Sequence, residues 1–94
     1  MLDYSKIDPD LFHWANAKGY TVQTRYRDDV VRGFEIRSSD NQKKSEIGIT
    51  NLTETDVELA VFDGKKRRER MSSSIDDLTK LLDRAERLAL QWIA

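Results

Sequence analysis

Six consecutive residues, 65–70 with the sequence KKRRER, contain no apolar side chain and directly follow the turn signal Asp63-Gly64. A strand of this composition has no side to bury, so it belongs at the edge of a sheet. Before the turn, residues 57–62 place an apolar side chain at every second position, beginning with Val57. The sequence therefore predicts a hairpin whose second strand is a basic sheet edge. A helical segment is the alternative for residues 65–71, because Lys, Arg and Glu have good helix propensity.

Three earlier segments also show the two-residue period of half-buried strands. They cover residues 20–26, residues 30–38 and the region around residues 47–49. Two acidic residues at 28–29 predict the first turn, and the polar cluster 38–43 predicts the next loop. Because short connections join strands that follow each other along the chain, we expect an antiparallel meander.

The N-terminal helix is predicted over residues 9–18 because both of its ends carry capping signals. Asp8 suits the N-cap, Pro9 suits the first helical position, and Gly19 suits a left-handed C-cap. Three apolar residues fall on one stripe at helical spacing, which is typical of a helix packed on a core. This stripe consists of Leu11, Trp14 and Ala15.

The C-terminal helix has the longest apolar stripe of the chain and is predicted from about residue 75 to the end. Ser74 is expected to cap it, with Asp77 three residues on as a weaker form of the capping box. The stripe consists of Ile75, Leu78, Leu82, Ala85, Ala89 and Trp92, widened by Leu81 and Leu88. Leu90 and Ile93 leave the last turn almost without a polar face, so we expect another element or another chain to cover it.

These elements predict an α+β fold in one domain, residues 1–94: a helix, a four- or five-stranded antiparallel β-meander and a long C-terminal helix. Both helices are expected on one face of the sheet, which leaves the other face open to solvent. The residues expected on the open face are Gln23, Arg25, Glu35, Arg37, Glu58 and Arg68.

The composition of the chain excludes several classes of protein. The chain has no cysteine, which excludes disulfides and thiolate zinc sites. It shows no signal-peptide pattern and no long apolar run, so we expect a soluble, cytoplasmic protein that does not enter the membrane. The overall net charge is −1, yet residues 65–70 carry +4 and the rest carries eleven basic and sixteen acidic residues. A broad basic face is therefore not expected, and only a local basic patch remains.

The sequence offers few residues that could form a catalytic site. His13 is the only histidine, and the serines at 72–74 stand where a helix cap belongs. Asp8, Asp10 and His13 are the nearest approach to a metal cluster, but carboxylates are also what a helix N-terminus favours. Glu35 would be an acid or base only if it faced a pocket, and alternation points it to solvent. We predict no catalytic site, no metal and no cofactor.

The leading hypothesis is a non-enzymatic protein-binding module, such as an adaptor, an inhibitor or a regulator, that docks an acidic protein surface. A nucleic-acid binder using residues 65–70 is the second hypothesis, and an enzyme of unknown class is the third. Protection of a sheet edge against aggregation explains the same charges without a partner. A homodimer through Leu90, Ile93 or an edge strand is also open. The residues predicted to bind are Lys65, Lys66, Arg67, Arg68, Arg70, Arg25 and Arg37.

Overall fold

The computed structural model describes residues 4–23, 32–63 and 67–93. These residues form an α+β fold, as predicted, with a single antiparallel sheet and a long C-terminal helix. The elements are α1 (Asp8–Lys18), β1 (Gly33–Arg37), β2 (Lys44–Leu52), β3 (Asp56–Asp63), β4 (Arg67–Ser74) and α2 (Leu78–Ile93). Short 3-10 turns, Tyr4–Lys6 and Ile75–Asp77, precede α1 and α2.

The four strands lie in the sheet in the order in which they follow along the chain, and each pairs with the next in antiparallel fashion. Strand β4 confirms the predicted strand from Arg67 onward. Of the strand predicted over residues 20–26, the structure describes residues 20–23. Residues 20–22 are not in a strand, and Gln23 forms only an isolated antiparallel bridge with Gly33. Residues 24–26 and the turn at 28–29 fall outside the described residues, as does Gly64.

The hairpin between β3 and β4 is wider than a tight Asp-Gly turn. Asp63 pairs directly with Arg67, so three residues separate the two strands. With this register, Val61 pairs with Glu69, and Phe62 pairs with Arg68. Because successive side chains point to opposite faces, Arg68 lies on the face of the sheet opposite to Val61.

Both helices cover one face of the sheet, which we call the inner face, and the other is the outer face. Their apolar stripes join the inner side chains of β1, β2 and β3 in one core cluster. At one end of this core, the Trp14 ring lies 5.6 Å from the Phe34 ring, and Tyr20 stacks on Phe34 at 5.4 Å. Two hydrogen bonds tie this end of the core to α2: Trp14 Nε1 donates to Asp83 Oδ1 at 2.9 Å, and the Tyr20 hydroxyl donates to Glu86 Oε2 at 2.6 Å.

The start of α1 differs from the sequence-based expectation. Ile7, not Asp8, occupies the N-cap position, and no side chain caps this end. The Asp8 carboxylate instead accepts two hydrogen bonds of 3.0 Å from the Arg32 guanidinium. A two-point bond to a guanidinium is stronger than a single bond to a backbone N–H, so the ion pair takes the carboxylate. The C-terminal end is as predicted, since Gly19 adopts a left-handed conformation with φ of 82°.

At the end of α2, one of the two expected alternatives holds for Ile93, because the same chain covers it. Ile93 is buried in the core cluster within the same chain, so it is not part of an exposed apolar surplus. Leu90 is 45% exposed, and Trp92 is half-buried against the core. The apolar surface left by the last turn of α2 is therefore smaller than the sequence suggests.

Candidate binding surface

The candidate surface is the part of the outer face formed by β4 and its neighbour β3. Arg68 pairs across the strands with Phe62, and Arg70 pairs with Ala60. Both arginines are exposed, and the guanidinium carbon of Arg68 lies 4.9 Å from the centre of the Phe62 ring. A guanidinium at this distance over an aromatic face is attracted by the ring quadrupole and held in place. We call Arg68 and Arg70 the edge arginines.

The edge arginines lie where β4 ends the sheet of the described residues. Among those residues, no carboxylate comes within ion-pair distance of either guanidinium. Glu69, between them, projects from the inner face opposite Val61 and is exposed. The outer side of the strand is therefore cationic.

The opposite edge of the outer face is electrostatically different. Arg37 on β1 forms an ion pair of 3.0 Å with Glu35, and Lys44 on β2 lies 3.6 Å from Glu35 and 3.8 Å from Glu46. Three strand spacings, about 14 Å, separate β1 from β4. The structure therefore does not bring Arg37 together with the edge arginines, and its charge is largely balanced locally.

The other residues predicted to bind have the following positions. Arg67 begins β4. Arg25, Lys65 and Lys66 fall outside the described residues. Of the predicted set, the structure brings together Arg68 and Arg70.

The sequence did not single out Phe62 as part of this surface. Alternation along residues 57–62 assigns it to the outer face, which was the available signal. Its pairing with Arg68 depends on the length of the turn, and the sequence pointed to a shorter turn. The stack of Arg68 on Phe62 is therefore a feature that only the strand register reveals.

An open groove of about 700 Å³ lies near β1 and contains Glu35, Glu46 and Tyr20. Burial, together with the hydrogen bond to Glu86, raises the pKa of Tyr20 above its ordinary value. The phenol is thus held protonated, and its hydroxyl is already committed to Glu86. Glu35 is only partly exposed because it lies between Arg37 and Lys44. The charged groups of the groove are thus paired around Glu35. His13 does not line this groove and is exposed on α1.

The remaining candidate sites are the group of Asp8, Asp10 and His13 and the serines at 72–74. Across residues 4–23, 32–63 and 67–93, no three His, Cys, Asp or Glu side chains are grouped to hold a metal ion. Ser72–Ser74 end β4, and Ser74 occupies the N-cap position of the 3-10 turn Ile75–Asp77 without the predicted side-chain cap hydrogen bond. Its hydroxyl instead donates to Asp77 Oδ2 at 3.3 Å. Within the described part of the chain, neither helix has the length and apolar character needed to span a membrane.

Comparison of the chain with protein-family models, with curated proteins and with solved structures finds no match. The candidate surface is therefore interpreted from its own chemistry.

Proposed function

We propose that the protein is a non-enzymatic binding module that docks an acidic protein surface through the edge arginines and the outer face beside them. The observation that carries this proposal is the contrast between the two edges of the outer face. Arg37 and Lys44 are paired with carboxylates, whereas Arg68 and Arg70 lie exposed without a described carboxylate in reach. Exposed cations that are not balanced locally attract an anionic partner and speed its association.

The packing of Arg68 supports the same proposal. A free arginine side chain loses rotamer entropy when a partner immobilises it. Arg68 is already placed over Phe62, so part of that cost is met before binding. A positioned guanidinium presents its fork of N–H donors in the geometry that carboxylates accept.

The test is binding by an Arg68→Glu/Arg70→Glu double variant. An Arg84→Glu/Arg87→Glu variant is the matched control, because it makes the same charge change at two exposed positions of α2. We expect wild type and control to capture the same acidic proteins from the native host. The charge-reversed variant should lose them while keeping its circular dichroism spectrum, because surface substitutions change stability by about 0.5 kcal/mol or less.

The affinity and association rate of a captured protein then decide between binding and edge protection. Like charges across an interface cost several kcal/mol and slow the encounter. Edge protection alone requires that the double variant bind with wild-type affinity and rate, since glutamates guard an edge as well as arginines do. That result would reject the proposed function.

A single-stranded nucleic acid is the second candidate, and the Phe62 ring beside the edge arginines favours it. One aromatic ring offers a stacking surface to one base, which is less than single-strand binding sheets commonly provide. Salt distinguishes the two partners. For a single strand, the logarithm of affinity falls against the logarithm of salt with a slope of about −0.7 for each phosphate contacted. A protein contact that depends on shape as well as charge gives a flatter plot.

A further inference from the structure

No other strand of the described residues pairs with the outer edge of β4, and this edge presents backbone groups as well as arginines. Ile75 N–H donates to the Thr55 carbonyl at 2.9 Å, next to the pair formed by Asp56 and Ser74. A bond in this position makes that pair a non-hydrogen-bonded one, and the two kinds of pair alternate along an antiparallel ladder. At every second residue of β4, N–H and C=O groups therefore point away from β3. These residues are Arg68, Arg70, Ser72 and Ser74.

We propose that an extended acidic segment of the partner adds to β4 as a further strand of the sheet, with carboxylates opposite Arg68 and Arg70. This inference rests on the proposed function and names the conformation and the pattern of the partner. Strand addition to an exposed sheet edge takes its affinity from backbone hydrogen bonds and its specificity from alternate side chains. Here Arg68 and Arg70 supply both the backbone hydrogen-bonding groups and the charged side chains.

Charge complementarity sets the pattern of the added strand. Residues directly opposite each other in neighbouring strands share a face, and opposite charges there attract. The edge arginines are two residues apart on the outer face, so they fit two acids that are also two residues apart. Glu69 lies between them on the inner face, where an acid opposite it would be repelled. Half-buried Met71 suits an apolar neighbour. The pattern is acid, neutral, acid, then apolar.

A second copy of this chain fits the edge less well than an acidic strand. Two β4 strands paired around Glu69 or around Arg70 place arginine directly opposite arginine, which is destabilising. An antiparallel pair centred on Met71 avoids direct opposition, yet it brings four arginines to one patch with no added acid. The acidic strand balances the edge arginines, and the second copy does not.

The probe is the acetylated and amidated peptide TVEQEVT. Its sequence is the same in both directions, so the direction of the added strand does not affect the result. The control peptide TEVQVET has the same composition but places its two acids four residues apart. We expect TVEQEVT to shift the NMR amide signals of Arg68, Arg70 and Ser72, and to bind more tightly than the control. Equal binding of the two peptides would reject the pattern.

Methylation of the two glutamate nitrogens of TVEQEVT tests the backbone bonds. In an antiparallel added strand, the residues opposite Arg68 and Arg70 occupy hydrogen-bonded positions, so this methylation removes two N–H donors and leaves the carboxylates unchanged. In a parallel added strand, the donors are the nitrogens of Gln and of the second Val, so a second peptide is methylated at those two nitrogens. We expect one of the two methylated peptides to lose affinity about tenfold or more. Unchanged affinity of both would overturn strand addition while leaving docking of an acidic surface intact.

Charge exchange tests the pairing without relying on loss of binding alone. The Arg68→Glu/Arg70→Glu variant should reject TVEQEVT and bind TVKQKVT, and wild type should do the reverse. A misfolded variant would bind neither, and circular dichroism identifies that case. The single Arg70→Glu variant is then tested with TVKQEVT and TVEQKVT, of which one places an acid opposite Arg68 and a lysine opposite the new glutamate. Failure of the folded double variant to bind TVKQKVT, or of the folded single variant to bind either mixed peptide, would overturn the inference.

Two further results would also overturn the inference. One is the absence of amide shifts in β4 at millimolar TVEQEVT. The other is dimerisation through β4. In that case wild type would sediment at twice the 11.0 kDa monomer mass, and a Met71→Cys variant would form a disulfide-linked dimer, because a second copy would cover the edge. The native-host capture experiment is independent of both results and decides the proposed function separately.

Discussion

The Asp8 carboxylate shows how one long-range contact overrides a local signal. By sequence it caps α1, yet it binds Arg32, which is 24 residues away. Both side chains are less than one third exposed, at 27% for Asp8 and 16% for Arg32, so water screens the pair only in part. The hydrogen bond to Asp8 also raises the pKa of Arg32.

We predict that Asp8→Ala and Arg32→Ala are not additive. Each single variant should lower the free energy of unfolding by about 1 to 3 kcal/mol, because it leaves a partly buried charge without its partner. The double variant should cost less than the sum of the two. Urea unfolding of all four proteins gives the coupling energy, and a coupling near zero would remove the ion pair from the stabilising contacts.

From the raised pKa of Tyr20 we predict that the free energy of unfolding falls at alkaline pH. Its pKa is raised in the folded protein, so the folded state keeps the phenol proton that the unfolded state loses above about pH 10. The contribution of Tyr20 to stability is therefore complete below that pH and declines as the pH rises. Absorbance at 295 nm should show a phenol that titrates above the ordinary tyrosine range, and Tyr20→Phe should remove it. A Tyr20→Phe protein with an unchanged titration would contradict the assignment.

At the scale of the elements, α2 supplies much of the core through a regular stripe. Leu82 is fully buried, whereas Leu90 is 45% exposed on the same helix. We predict that Leu82→Ala lowers the free energy of unfolding by about 2 to 5 kcal/mol. Leu90→Ala, which removes the same atoms from an exposed position, should change it by about 0.5 kcal/mol or less. Similar losses for both variants would mean that Leu90 is covered in solution.

Periodicity was a reliable guide to the elements themselves. The alternation of residues 57–62 and the stripe from Leu78 to Ala89 predicted β3 and α2, because each pattern has a single face to bury. The start of α2 was less accurate, since Ile75–Asp77 form a 3-10 turn. The wider hairpin was not predictable, because an Asp-Gly signal does not determine how many residues follow it before pairing resumes.

Periodicity was a weaker guide to the candidate surface. The composition of residues 65–70 indicated a basic edge, and β4 lies at the end of the described sheet. The composition could not indicate that Arg37 is paired with Glu35, since that contact depends on which side chains share a strand face. Nor could it indicate the stack of Arg68 on Phe62, which depends on register.

For the whole molecule, one core cluster joins α1, α2 and the inner face of the sheet. We therefore predict cooperative two-state unfolding, with a urea slope of about 1 to 2 kcal/mol per molar. Tryptophan fluorescence reports on Trp14 in α1 and Trp92 in α2, and circular dichroism reports on the backbone. The two transitions should coincide. An earlier fluorescence transition would mean that a helix detaches before the sheet unfolds.

The chain-order sheet has a consequence for folding kinetics. Each strand meets a neighbour that was close along the chain, so closing the meander costs little loop entropy and is expected to be rapid. The bond between Trp14 and Asp83 spans 69 residues and joins α1 to α2. Such distant contacts tend to form after the main barrier, where their loss accelerates unfolding more than it slows folding. The contact between α1 and α2 would then set the unfolding rate and so the lifetime of the native state.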